Sequence, residues 1–135
     1  MKPDVDYLKK MLEAFRESPK PTMDIRELAK AGLNYEDDIF IFHLGLLGDQ
    51  GFVVAADNGG HSNRDLGIQR GAGDCIQWSV VPLRLTAAGQ EFAEALSHNK
   101  IVEMLKTKFI GASLSALSAA AITMLRQGLA NHVHF

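Results

Sequence analysis

Three observations predict an α+β chain that is mostly helical. Apolar residues recur at spacings of three and four in several segments, two short runs rich in β-branched residues lie at 52–56 and 76–85, and a polar, glycine-rich stretch separates those runs. With 135 residues, 47% of them hydrophobic, the chain can close one core without a metal or disulfide. Charged residues make up 22% and the formal net charge is -2, so the molecule as a whole does not attract a polyanion.

The elements follow in order. Val5, Leu8, Leu12 and Phe15 form one stripe of an amphipathic helix over Pro3–Glu17, which the prolines of Ser18-Pro19-Lys20-Pro21 end. Asp24 followed by Glu27 reads as a capping box opening a short helix, and Gly32 closes it in left-handed geometry with Leu33 packing back. Asn34 is expected to cap a third helix reaching about Asp49, with Glu36, Asp37 and Asp38 in its first turn, where the dipole favours carboxylates. Ile39, Phe40, Phe42, Leu44, Leu46 and Leu47 cover more than half of that helix, which requires much of it to be buried.

Phe52 to Ala56 reads as a strand, Asp57 to Asp74 as a long loop or hairpin tip, and Ile76 to Leu85 as a second strand in which Pro82 marks an edge or bulge. Thr86 caps a helix over Ala87–Leu96. The order helix, turn, helix, helix, strand, glycine-rich loop, strand, helix predicts a winged helix-turn-helix over residues 1–98, with a wing at about 57–75; a generic α+β domain is the rival. Residues 99–135 read as a helical extension that serves packing or dimerisation. Ile101 to Lys108 is a short basic helix, and Leu114, Leu117, Ala121 and Leu125 form one stripe of the next, costly to leave in water and therefore a candidate homodimer surface. The uncharged run Phe109–Leu125 is too short and too rich in Ser and Ala to span a membrane. The lone Cys75 and the charged stretch after Met1 point to the cytoplasm.

Three blocks carry a resemblance. Met1-Lys2-Pro3-Asp4-Val5-Asp6, Phe42-His43-Leu44-Gly45-Leu46-Leu47 with Gly51-Phe52-Val53, and Leu85-Thr86-Ala87-Ala88-Gly89-Gln90-Glu91-Phe92 resemble domain of unknown function 2513 over nearly the whole chain. The resemblance implies a phage or prophage setting and no activity. The sequence departs from the family pattern at Ala87, Gln90 and Phe42, where an aromatic, a histidine and a tyrosine are common. The block from Leu85 to Phe92 is equally similar to the end of the wing in MarR-type regulators, which implies the same winged-helix core.

No enzyme, cofactor or metal is expected. His132 and His134 form an H-x-H pair without a third ligand nearby, and Cys75 and His61 sit in or beside a loop. His43, among leucines and phenylalanines, reads as a partly buried histidine bonded to backbone or carboxylate. Gly71-Ala72-Gly73 lacks the lysine and hydroxyl residue of a phosphate cradle. DNA binding is possible but not favoured: no lysine or arginine occurs from Ala31 through Asn63, and only Arg64 and Arg70 make the wing basic. The favoured expectation is a protein-interaction module that docks a host or phage protein through Glu36, Asp37 and Asp38.

Overall fold

The computed structural model describes residues 1–73 and 75–128. It is α+β: α1 (Val5–Arg16), α2 (Ile25–Lys30), α3 (Asp38–Asp49), β1 (Val53–Ala55), β2 (Ile68–Arg70), β3 (Ile76–Trp78), β4 (Leu83–Leu85), α4 (Ala87–Leu96), α5 (Asn99–Lys108) and α6 (Leu114–Arg126).

Local chemistry sets most helix starts. The Asp4 carboxylate accepts from Tyr7 N at 3.0 Å, and the buried stripe of α1 includes Met11 beside the four residues its periodicity predicts. The Asp24 carboxylate accepts from Arg26 N and Glu27 N while Glu27 Oε1 accepts from Asp24 N, which completes the expected capping box. Gly32 takes φ +89° and Leu33 is fully buried.

One cap differs from expectation. Asn34 Oδ1 accepts from Glu36 N at 2.9 Å, and Asp37 N donates to the Asn34 carbonyl, so Asn34 closes a separate turn. α3 begins at Asp38, and of the three carboxylates only Asp38 lies in its first turn. Asp37 is the N-cap, at the positive end of the helix dipole but without a side-chain capping hydrogen bond, and Glu36 lies before the helix.

The strands form two antiparallel pairs, β1 with β4 and β2 with β3. β4 also meets Met23 on its other edge: Met23 N donates to Leu83 O at 2.8 Å and Leu83 N to Met23 O at 2.9 Å. The expected single strand over 76–85 is thus two. β3 pairs with β2 in the register Ile68↔Trp78, Ser79 N then donates to Gly67 O, and the chain changes partner across Pro82, which has no amide proton to give. Within the expected loop, Leu66 and Ile68 are core residues and β2 is regular strand. Gly67 makes this possible: it sits at φ +94°, and a Cβ there would overlap the Ser79 carbonyl oxygen.

α4 and α6 pack against each other, α5 joins both, and α1 packs on α4 and α5. Arg126 binds Glu91 with two hydrogen bonds of 2.6 and 2.7 Å across α4 and α6. Residues of the C-terminal helices enter the same core cluster as α1, α3 and β1. This corrects the expected self-association surface. Leu114 and Leu117 are 3% and 2% exposed, Ala121 is fully buried and Leu125 is half-buried, so the stripe is covered by its own chain. Residues 129–135 of the expected extension lie outside the described residues. Among the described residues no helix is long and apolar enough to cross a membrane.

Candidate docking groove at the start of α3

From Ile39 through Gly48 no residue of α3 is exposed. Two structures cover it. On one side His61, Asn63, Leu66 and Trp78 lie against it: the Trp78 ring meets Phe40 edge-on at 5.7 Å, Asn63 Oδ1 lies 3.6 Å from where a Gly45 side chain would begin, and a Cβ on Gly48 would overlap Leu66 and the His61 carbonyl. Gly48 permits this close approach, whereas the contact at Gly45 is of ordinary length.

On the other side α1 reaches α3 through His43, which is 1% exposed. Its Nδ1 lies 2.7 Å from the Ile39 carbonyl, and its Nε2 lies 2.9 Å from the Asp4 amide nitrogen. A carbonyl only accepts and an amide only donates, so the ring is neutral with its proton on Nδ1. Tyr7 packs against it at 4.8 Å. Burial, and after it the charge of Asp37, pushes the Tyr7 hydroxyl up to about 12. Burial lowers the His43 pKa, against the opposing effects of the Ile39 carbonyl and the Asp4 charge. Because the folded-state value lies below the unfolded one of about 6.5, the unfolded chain takes up the proton first as pH falls. The His43 contribution is whole above about pH 6.5 and is lost as pH falls from there toward the folded-state pKa. Urea midpoints measured from pH 8 to 5 are expected to drop in this lower window, and His43→Gln is expected to flatten that drop.

Beside the start of α3 opens a groove of about 570 Å³. Ile25 and Arg26 of α2 contribute to one part of its lining, and Tyr35 and Ile41 to another. Ile76, Trp78 and Val80 also line it, alternate residues of an extended segment and hence on one side of it. Tyr35 meets Trp78 edge-on at 5.9 Å. Val80 is 48% exposed. Glu36 and Asp38 line the groove and are exposed, whereas Asp37 is not among its lining residues and instead acts on Tyr7. The expected docking triplet is therefore divided, as adjacent residues on a turn and helix start point in different directions.

The charges of the groove do not cancel. Arg26 Nη2 lies 3.0 Å from Asp24 Oδ2, and this bond holds the Asp24 carboxyl below its ordinary range and raises the guanidinium. Among the described residues no salt bridge reaches Glu36 or Asp38.

Arg64 and Arg70, both exposed, line one shallow depression with Ile68 and Gln69 on the β2 side. Cys75 is exposed, and among the described residues no three His, Cys, Asp or Glu side chains converge on a metal position. His132 and His134 lie outside the described residues. Sequence reasoning missed Tyr35, the neighbour of Glu36 in the chain, and Trp78 and Val80, which meet the acidic residues only through the tertiary fold. No protein-family model, no curated protein and no solved structure matches this chain.

Proposed function

We propose that the chain is a non-enzymatic winged-helix module that docks a protein partner at the leading end of α3. Support for the fold comes from the edge order Met23, β4, β1, with α2 and α3 joined by a short turn and the excursion between β1 and β4 as the wing. The observation that carries the function is the cover over α3. From Ile39 to Gly48 every residue of the helix is buried or half-buried, which leaves little of it to lay in a major groove, while the acidic groove at its start is open. An acidic surface suits a basic protein and repels phosphates. The phage or prophage setting and the cytoplasm belong to the same proposal and rest on the sequence readings.

A second reading, DNA contact through the wing, is favoured by the meeting of Arg64 and Arg70 in one depression. Titration of random duplex DNA by fluorescence anisotropy at low and moderate salt separates the two. The wild type is expected to bind weakly, and Glu36→Lys with Asp38→Lys to bind more tightly with a steeper salt dependence. The same double variant is expected to lose a partner that wild-type protein retains from host lysate. Tight, salt-steep DNA binding by the wild type that Arg64→Ala and Arg70→Ala abolish would establish the wing reading instead.

A further inference from the structure

We propose that the groove beside α3 takes an arginine side chain from an extended segment of a protein partner, with the guanidinium over the Trp78 indole and its N–H groups bonded to Glu36 and Asp38. The inference deepens the docking reading above and rests on it. Three features of the groove select that group. Two exposed carboxylates face a space whose only cation, among the described residues, is already bound to Asp24. An indole forms part of the same lining, and a ring face attracts a cation, most of all one as planar and weakly hydrated as a guanidinium. Arginine also offers a fork of donors that two carboxylates can share, whereas a lysine ammonium is a compact, strongly hydrated point charge. The flanking Ile76 and Val80 give apolar contact to the residues on either side of the arginine, which favours an extended segment.

Trp78 is the only tryptophan in the chain, so its emission reports on the groove directly. The probes are three five-residue peptides, Ser-Val-Xaa-Val-Ser, with blocked ends and arginine, lysine or citrulline at the centre; citrulline keeps the shape and loses the charge. The arginine peptide is expected to shift Trp78 emission and to bind at least about tenfold tighter than the citrulline peptide, with lysine between them. Glu36→Gln with Asp38→Asn, whose only expected effect on the fold is a small loss of the dipole interaction at Asp38 and which is checked for native circular dichroism, is expected to weaken the arginine peptide about tenfold. With a dye-labelled peptide, Trp78→Phe is expected to retain binding at a few-fold loss and Trp78→Leu to lose it, each checked for native circular dichroism.

Equal binding of arginine and citrulline peptides, or binding indifferent to the loss of both carboxylates, overturns the inference. So does an unchanged Trp78 emission at saturation. If the lysine double variant loses the lysate partner while none of the peptides binds, the arginine assignment fails and the docking reading stands. Tight DNA binding by the wild type removes both.

Discussion

Alanine at position 89 is expected to destabilise the protein by about 2–3 kcal/mol, opposite in sign to the gain of about 1 kcal/mol that Gly→Ala brings in an unconstrained helix. Gly89 lies in the first turn of α4, and its missing side chain lets that helix sit on the backbone of Phe52, just before β1. A Cβ there would overlap the Phe52 carbonyl oxygen, which is backbone and already fixed by accepting from Thr86 N at 3.0 Å. Thr86 tightens the same junction: its hydroxyl accepts from Gly89 N and donates to the Gly51 carbonyl at 2.7 Å. The side chain cannot be accommodated by a rotamer change, so α4 has to move off β1. A melting temperature lowered by roughly 10 °C relative to wild type is the expected reading, with Ala88→Gly on the exposed side as the control for helix propensity alone. An unchanged or raised melting temperature would show that α4 does not approach Phe52 this closely.

Leu117→Asp is expected to unfold the chain. Leu117 is 2% exposed and belongs to the cluster that also holds residues of α1 and α5, so the variant carboxylate would be removed from water without a partner. The cost of several kcal/mol is a large part of the 5–15 kcal/mol that stabilises a domain of ordinary size. Circular dichroism is expected to lose most of its helical signal. A variant that kept its helix content but fell from dimer to monomer in light scattering would place Leu117 on an interface between copies and overturn the packing described here.

The helical framework was legible because its signals are local. Asp24 with Glu27, Gly32 and Thr86 each act on backbone groups within a few residues, and each does in the fold what its spacing predicts. Asn34 shows the limit of such signals, since a short side chain followed by carboxylates suits a turn as well as a helix cap, and the turn is what forms. The role of Met23 was hidden because its strand is a single bridge to Leu83, sixty residues away in sequence and readable from neither neighbourhood. β2 was hidden by the glycines around it, one of which is there because the chain passes close to Ser79. The stripe on α6 was read correctly as apolar, but periodicity states only that a face is covered, and the cover here is the same chain. In the groove the acidic residues were visible, while Trp78, forty residues downstream of Asp38, joins them through the pairing of β3 with β2 and the packing of Trp78 on Phe40.

The shared core of the first and last helices also bears on how the chain matures during synthesis. Leu8 and Leu12 of α1 lie in one cluster with Ala121 and Met124 of α6, and Asp6 binds Lys106 at 2.9 Å. A ribosome delivers residues in order at roughly 5–20 per second, so α1 emerges several seconds before the elements that bury its apolar face. Contacts of such long sequence separation form late. A nascent chain ending at α4 would present that face to chaperones, and release of a finished molecule would wait on α6. Truncations that remove α6 are thus expected to accumulate as aggregation-prone species during translation, while loss of only the residues after 128 leaves every described core residue in place.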